Sequence, residues 1–205
     1  MKSVCIVQAR LNSRRLPEKV LLPLNGHTVI GEVLTRCWKI PDIDQVVCAI
    51  PKDDEALLKE ASKYGPVFLG SEDDVLQRYY GAAKMTGADY IVRVTGDCPL
   101  ISPELCGEIL WRLKDSGAEY ASNCHPRTFP KGYDCEAFTF KTLERANKID
   151  TEREHVTTWM STNARRINIV APWKMDGRLT LDTLNDYRTI CAAFDDTPNV
   201  SLRVA

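Results

Sequence analysis

The chain has 205 residues, of which 44% are hydrophobic, so it is long enough to bury a core of its own. Its 27 basic and 28 acidic residues leave a formal net charge of −1, which excludes the broadly basic surface of a nucleic-acid binder or of a protein held on an anionic membrane. No apolar run approaches the length of a membrane span, and the N-terminus lacks the features of a signal peptide.

Strand-like and helix-like segments alternate along the chain. Short β-branched or aromatic runs predict strands at 3–8, 45–49, 67–69, 90–94, 120–122, 137–140 and 167–170. Apolar residues at helical spacing predict helices at 29–39, 53–64, 73–86, 103–116, 141–149, 152–163 and 184–194. Alternation of this kind favours an α/β fold with three layers (α/β/α) and a mainly parallel, mixed sheet. No repeat, low-complexity tract or linker divides the chain, so we expect one domain over residues 1–205.

The first predicted strand leads into a basic loop. Arg10, Arg14, Arg15 and Lys19 follow it, together with the hydroxyl of Ser13. Such a cluster suits a polyphosphate, which accepts several charge-assisted hydrogen bonds, and loops at strand ends concentrate binding sites in α/β folds. The alternative is an ordinary solvated basic loop. The sequence contains neither a P-loop nor a G-x-G-x-x-G fingerprint, so side chains and loop amides would have to hold the phosphates.

A second polar site follows the predicted strand 90–94. Gly96 lets the backbone turn closely around whatever Asp97 binds, and a carboxylate beside a nucleoside triphosphate suits Mg²⁺. The alternative is that Asp97 only caps the turn before Pro99. Because both this loop and the basic loop follow strands, they can meet in the crevice beyond the carboxyl ends of a parallel sheet.

Asp182 is the natural partner of Asp97. It ends the alternating segment 178–183, which predicts a strand, and Thr183 is placed to cap the helix that follows.

These motifs resemble those of a known family. Ala9, Arg10, Ser13, the run 15–17 and Lys19 fit the A-R-x-x-S-x-R-L-P-x-K signature of the bacterial cytidylyltransferase superfamily, which includes the acylneuraminate and Kdo cytidylyltransferases. The resemblance is greatest to its SpsF-like spore coat polysaccharide biosynthesis branch. Further blocks follow in the expected order at 70–76, 94–101, 132–138, 153–157 and 179–183. The six blocks extend over nearly the whole chain.

The resemblance implies a fold of the nucleotide-diphospho-sugar transferase type, similar to glycosyltransferase A. It implies catalytic roles for Arg10, Arg15, Lys19 and Asp97, and Mg²⁺ held by Asp97 and Asp182. Some acylneuraminate enzymes have another aspartate where this chain has Thr180. The nucleotide-binding residues that it implies are Ala9, Arg10, Ser13, Arg15, Lys19, Gly70, Ser71 and Gly96.

The cytosine base and the acceptor sugar are expected on two other segments. Ser71, in the loop 70–74, is expected to line the pyrimidine pocket, although Ser71 or Asp73 is equally suited to cap the next helix. The predicted sugar-binding residues are Asp134, Glu136, Arg153 and His155, since carboxylates bind hydroxyls and an arginine pairs with a sugar carboxylate. The alternatives are a solvated strand edge for the two carboxylates and a capping box, 151–154, for Glu154.

The function implied is transfer of a cytidylyl group from CTP to an acidic sugar, a nonulosonic acid or a Kdo-like sugar, with release of pyrophosphate. Two alternatives remain open: a glycosyltransferase that uses a preformed nucleotide sugar, and a degenerate relative that only binds nucleotide. A glycosyltransferase of this kind usually has an Asp-x-Asp motif, where this chain has the run Thr95-Gly96-Asp97.

Two further expectations concern the oligomeric state and the cellular compartment. The segment 122–165 is predicted to bind sugar and to form a homodimer. The resemblance implies pairing through the segment that follows the block 94–101, and this segment contains Phe129, Tyr133, Phe138, Phe140 and Trp159, although the same aromatic residues suit a core. The eight cysteines show neither C-x-x-C nor zinc-ligand spacing, which favours free thiols in a reducing cytoplasm.

Overall fold

Nine strands and seven helices form the part of the chain that the computed structural model describes, residues 1–149 and 151–195. The strands are β1 (Ser3–Gln8), β2 (Pro23–Leu24), β3 (His27–Thr28), β4 (Gln45–Pro51), β5 (Val67–Gly70), β6 (Tyr90–Thr95), β7 (Tyr120–Ser122), β8 (Glu136–Thr139) and β9 (Arg166–Asn168). The helices are α1 (Val29–Cys37), α2 (Glu55–Ala61), α3 (Val75–Thr86), α4 (Pro103–Ser116), α5 (Phe140–Ile149), α6 (Thr158–Asn163) and α7 (Leu184–Asp195). A 3₁₀ turn, Lys19–Leu21, follows the basic loop. The predicted end of the domain at residue 205 lies outside the described residues.

Seven strands form one sheet in the order β5-β4-β1-β6-β8-β7-β9. The first four in this order are parallel, β8 is antiparallel to both of its neighbours, and β9 is parallel to β7. The mainly parallel, mixed sheet is therefore confirmed. β2 and β3 form a separate antiparallel hairpin around the turn at Asn25 and Gly26.

Helices cover both faces of the sheet. Along β1, Cys5 and Val7 pack in a core cluster with α1, α2 and α4, whereas Val4 and Ile6 pack in a second cluster with α3, α5 and α6. Successive side chains of a strand point to opposite faces, so a strand that is apolar at every position requires cover on both sides. Burial of each such side chain contributes about 1.5–3 kcal/mol. The three-layer α/β/α prediction is thus confirmed.

The topology opens a crevice beside β1. The chain passes from β1 to β4 on one side of the strand, and β6 later pairs with the other side. The loops that follow β1 and β6 therefore lead away in opposite directions, and a ligand crevice forms at such a switch point.

The predicted helix 152–163 is wrong in its first half, because α6 begins only at Thr158. The Glu152 carboxylate accepts the backbone N–H groups of Glu154 and His155, and this local arrangement competes with the helix. Residues 151–154 therefore form no capping box at a helix start.

The segment 178–183 is not a strand, and this prediction is also wrong. It runs extended and is fixed by single backbone hydrogen bonds, from Leu179 N to Lys131 O at 2.6 Å and from Leu181 N to Asp97 O at 2.8 Å. The predicted cap is confirmed, since Thr183 Oγ1 accepts from Asp186 N while the Asp186 carboxylate accepts from Thr183 N.

No helix among the described residues is long and apolar enough to cross a lipid bilayer.

Candidate active site

A cleft of about 660 Å³ lies beyond the carboxyl ends of β1 and β6. Of the fourteen side chains or glycines predicted to form a site, eight line it: Ala9, Arg10, Ser13, Arg15, Lys19, Gly96, Asp97 and Asp182. The structure therefore brings the predicted phosphate and metal residues together. It does not place the other six, Gly70, Ser71, Asp134, Glu136, Arg153 and His155, in the lining of this cleft.

Gly96 allows the loop after β6 to contact the basic loop after β1. Its backbone N–H donates to Gln8 O at 2.8 Å. A Cβ at position 96 would lie 2.9 Å from Ala9 Cβ and 3.0 Å from Ile30 Cδ1, closer than ordinary van der Waals contact. The missing side chain thus lets Asp97 approach the basic loop.

Lys19 joins the two predicted metal ligands. Its Nζ lies 2.7 Å from Asp97 Oδ2, 3.0 Å from Asp182 Oδ1 and 2.6 Å from the carbonyl oxygen of Leu181. Lys19 is the first residue of the 3₁₀ turn that follows the basic loop, and it is only 8% exposed. A buried ammonium needs such partners, because an unpaired charge in the interior is strongly unfavourable.

Asp182 is surrounded by cations. Arg15 contacts its Oδ1 at 2.7 Å, and Arg178 pairs with its Oδ2. Burial opposes ionisation of Asp182, but Lys19, Arg15 and Arg178 outweigh it and hold the pKa of this carboxyl below its usual value. Asp182 is therefore an anion in the working pH range and can bind a cation.

Arg10, Asn12 and Arg14 of the basic loop also line the cleft. Arg10 is half-exposed, and its guanidinium lies 3.3 Å from Glu154, which faces it from the loop before α6. Glu154 lines the cleft, a position that the capping-box interpretation did not predict.

Ser71 caps the turn that precedes α3. Its Oγ accepts from Asp74 N at 3.1 Å, and the Asp74 carboxylate caps the helix by accepting from Gln77 N at 2.8 Å. The residue that caps α3 is therefore Asp74, so the alternative of a helix cap at Ser71 or Asp73 is wrong. Glu72 and Asp73 of the same loop line the cleft.

Arg78 lies beneath this loop, and no role in the site was predicted for it from the sequence. Its guanidinium donates to the carbonyl oxygens of Ser71 and Glu72, and burial lowers its pKa. Its Nε has no hydrogen-bond partner among the described residues, and the side chain reaches the cleft. The sequence does contain a sign of this burial, because Arg78 lies on the apolar stripe of α3 together with Val75 and Tyr79.

The predicted sugar-binding carboxylates have protein partners. Asp134 pairs with Arg127 near the surface. Glu136 is 5% exposed within the sheet, where it pairs with Arg93 and accepts from the Tyr120 hydroxyl. Burial opposes its ionisation, but the contact with Arg93 outweighs this and holds the pKa of Glu136 below its usual value.

Arg153 and His155, the other two predicted sugar-binding residues, also contact protein groups. The Arg153 guanidinium contacts both oxygens of Asp74, at 2.9 and 3.1 Å, and donates to Asn147 Oδ1 at 2.7 Å. The His155 side chain is 73% exposed and lies 3.5 Å from Glu152. Arg153 therefore fastens the loop before α6 to the start of α3.

The aromatic residues of the segment 122–165 pack inward. Phe138 is buried, and Phe129, Tyr133, Phe140 and Trp159 pack against the two core clusters. These contacts are the ones expected of the core alternative, and the homodimer stays a prediction.

Comparisons with known proteins show the family of this chain. The sequence profile of the cytidylyltransferase family matches residues 4–189. An uncharacterised protein of Methanocaldococcus jannaschii is 38% identical, with 92% of this chain and 81% of that protein covered. The spore coat polysaccharide biosynthesis protein SpsF of Bacillus subtilis is 31% identical over 96% of this chain and 89% of its own. A 3-deoxy-manno-octulosonate cytidylyltransferase of Chloroherpeton thalassium is 37% identical, over 51% of this chain and 43% of that enzyme.

Solved structures extend the comparison. A cytidylyltransferase from Leptospira borgpetersenii superposes with a TM-score of 0.92 at 34% identity, covering 97% of this chain and 89% of that one. Two others share the fold at 17% identity: a CMP-2-keto-3-deoxy-manno-octonic acid synthetase complexed with CTP, with a TM-score of 0.73 and coverage of 95% and 99%, and Rv0371c of Mycobacterium tuberculosis in complex with manganese, with a TM-score of 0.69 and coverage of 94% and 100%.

Proposed function

The chain belongs to the cytidylyltransferase family and is a nucleotidyltransferase, and from this premise we propose that it transfers a cytidylyl group from CTP to an acidic sugar of the nonulosonic acid or Kdo type. The observation that carries the proposal is the meeting of Arg10, Arg15 and Lys19 with Asp97 and Asp182 at one switch point of the sheet. The resulting CMP-sugar suits the synthesis of a surface polysaccharide or glycan, as the name of the Bacillus subtilis relative suggests.

The reaction moves one phosphorus centre. A sugar hydroxyl oxygen attacks the α-phosphorus of CTP and forms a new P–O bond, while the bond between the α-phosphorus and its bridging oxygen to the β-phosphate breaks. Pyrophosphate leaves with that electron pair, and the hydroxyl proton passes to solvent. Negative charge grows on the nonbridging and leaving oxygens, and preorganised cations stabilise it.

The basic loop supplies those cations. In this proposal Arg10 and Lys19 neutralise the triphosphate, and Arg15 donates two parallel hydrogen bonds to β- or γ-phosphate oxygens. Ala9, Ser13 and Gly96 form the floor and the rim around them. Arg14 lines the same cleft and adds to its positive charge.

A divalent cation would be held by Asp97 and Asp182, beside the basic loop. The described residues contain no group of three or more His, Cys, Asp or Glu side chains arranged for a metal, but Asp97 and Asp182 supply two carboxylates. Mg²⁺ is usually bound by one or two carboxylates together with phosphate oxygens, so this donor set suits it. When bound there, Mg²⁺ would offset negative charge on the phosphates and increase the acidity of the attacking hydroxyl. The cleft lining holds as many acidic as basic side chains, five of each, so a bound divalent cation would add to the positive charge that faces the triphosphate.

Base and sugar contacts are the finer part of the proposal. Gly70 and Ser71 would bind cytosine through the backbone of the loop that Arg78 fixes from below. Asp134, Glu136, Arg153 and His155 are retained as candidate sugar contacts, which requires that a sugar compete with their protein partners. A homodimer would let Arg153 or His155 of one subunit approach the sugar pocket of the other. The cytoplasm suits the enzyme, because all eight cysteines are free thiols within the described residues.

The test is pyrophosphate release across a panel of nucleotides and sugars. We expect release with CTP, Mg²⁺ and an acidic sugar, with a CMP-sugar identified by mass spectrometry, and none with the neutral sugar of the same carbon skeleton. ATP and GTP serve as matched nucleotides, and CTP should raise the unfolding temperature more than either, by mass action. Equal activity with ATP would contradict the proposed selectivity for CTP. Equal activity with the neutral sugar would contradict the proposal that the acceptor is an acidic sugar.

The same assay separates the alternatives. A glycosyltransferase would release CMP from a preformed CMP-sugar and would need no CTP. A degenerate relative would be stabilised by CTP but would form no pyrophosphate with any acceptor.

A further inference from the structure

The ammonium group of Lys19 occupies the space between the two proposed metal ligands. Its three N–H donors have three acceptors, Asp97 Oδ2, Asp182 Oδ1 and Leu181 O, all within 3.0 Å. No donor is therefore left for a phosphate oxygen while these contacts persist. Lys19 thus cannot bind the triphosphate until it leaves at least one carboxylate.

The same contacts oppose a metal ion. A divalent cation between Asp97 and Asp182 would lie within a few ångströms of the ammonium, in a site that is largely shielded from water. Arg15 and Arg178 also contact Asp182, on both of its oxygens. Asp97 Oδ1 has, among the described residues, only the weak thiol donor of Cys98 at 3.7 Å. The protein's own cations therefore hold most of the carboxylate oxygens that a metal would need.

We propose that Lys19 is an exchangeable internal cation, which holds the Asp97 and Asp182 pair together without nucleotide and moves onto the phosphates when CTP binds, so that the divalent cation can take its place. The identity of the nucleotide rests on the proposed function; the competition between Lys19 and the metal does not. The exchange makes CTP and metal binding mutually favourable, because each ligand stabilises the arrangement that the other requires.

Exchange also prevents a buried charge from being left unpaired. Departure of Lys19 leaves Asp182 with Arg15 and Arg178 but leaves Asp97 without a cation, and arrival of a metal alone would leave the ammonium without an anion. Every charge is paired again when CTP and the metal are both bound. The triphosphate supplies new acceptors for Lys19 and also oxygen ligands for the metal.

The first test measures Mn²⁺ binding without nucleotide, by the electron paramagnetic resonance signal of free Mn²⁺. Lys19→Met removes the charge and keeps a long apolar chain, and we expect it to bind Mn²⁺ at least about tenfold more tightly than the wild type. Lys63→Met is the matched control, since Lys63 forms an ion pair with Glu60 outside the cleft and should leave Mn²⁺ binding unchanged. Equal or weaker Mn²⁺ binding by a folded Lys19→Met chain would overturn the competition.

The second test uses the wild type, so it does not depend on folding of the variant. The Nζ signal of Lys19 is assigned in the ¹⁵N-lysine spectrum by its loss in Lys19→Arg. We expect CTP with EDTA to shift this signal and Mg²⁺ alone to leave it in place. A shift with Mg²⁺ alone, or none with CTP, would overturn the exchange. Neither test requires turnover, so failure of pyrophosphate release with a positive Mn²⁺ result would reject the proposed function and leave the competition intact.

Discussion

Charged side chains meet in two regions of this molecule, and the regions differ in what those side chains face. In the cleft, Lys19, Arg15, Asp97 and Asp182 converge from separate loops around an open space. In the segment that extends from Arg127 to His155, the four predicted sugar-binding residues pair with protein partners outside the cleft lining, whereas Glu154 lines the cleft.

The contrast shows which feature turns a charged motif into a site. Residues of both regions lie in family-like blocks, and their composition is similar. Arg15, Lys19 and Asp97 follow parallel strands at the switch point, and Asp182 joins them on a segment that is hydrogen-bonded to the loop after β6. The second region adds an antiparallel strand, β8, whose Glu136 lies directly opposite Arg93 of β6. Glu136 is enclosed by the sheet and paired with Arg93, so it belongs to the folded core. A charged side chain in a loop at the end of a strand is open to a ligand.

The largest expected effect tests the structural side of this comparison. Arg93→Met should lower the free energy of unfolding by about 3–5 kcal/mol, because it leaves the buried Glu136 without its counter-ion. Arg127→Met breaks the more exposed pair with Asp134 and should cost about 1 kcal/mol or less. Urea unfolding followed by circular dichroism measures both. Equal stability of Arg93→Met and wild type would show that Glu136 is not a structural anion and would favour its role in sugar binding.

The next effect tests the cleft. Asp97→Asn and Asp182→Asn should each retain the fold while turnover falls about 10²–10³-fold, because each removes charge that the transition state requires without changing side-chain size. Asp176→Asn is the matched control, since Asp176 forms an exposed ion pair with Lys174 outside the cleft. Pyrophosphate release at saturating Mg²⁺ measures turnover. Wild-type turnover in either cleft variant would remove that aspartate from the site.

Much of the fold and of the cleft could be predicted because the signals are local. β1 has an unbroken apolar run from Val4 to Val7, and βαβ alternation places the carboxyl ends of β1 and β6 at one edge of the sheet. Arg10, Lys19 and Asp97 then have to lie near one another. Even Thr183 could be assigned as a cap, since capping depends on residues within one turn.

The partners of Glu136 and Arg153 could not be predicted, because they are distant in sequence. The pair of Arg93 and Glu136 depends on the register of two strands, and the contact of Arg153 with Asp74 joins residues 79 positions apart. The start of α6 was missed for a related reason, since Glu152 bonds to its own loop instead of the helix. Arg78 is different: a charged residue on the apolar stripe of α3 was visible and was not interpreted.

A smaller effect tests the contact that brings the two loops of the cleft together. Gly96→Ala should cost about 1–3 kcal/mol of stability, because the new Cβ would press on Ala9 Cβ and Ile30 Cδ1. The double variant Ala9→Gly with Gly96→Ala should recover part of that loss, since it removes the closest neighbour. Thermal unfolding of the two single variants and the double variant gives the coupling between the sites. Additive losses would mean that the loops do not press on each other at this point.

The smallest effect tests an ion pair that joins the two regions, between Arg10 of the basic loop and Glu154. Both side chains are well exposed, and exposed pairs contribute only about 0.2–1 kcal/mol, so the cost of separating them is small. Since the proposed role of Arg10 is to bind the triphosphate, Glu154 competes with CTP for it. Glu154→Gln should therefore tighten CTP binding by about two- to fivefold.

Titration calorimetry with CTP measures this change, and Glu108→Gln is its matched control, because Glu108 pairs with Arg112 on α4 outside the cleft. The direction of the effect decides what Glu154 does. Tighter CTP binding means that Glu154 only restrains Arg10 before the nucleotide arrives. Weaker binding would mean that Glu154 positions Arg10 for the phosphates, and the second region would then contribute to the active site after all.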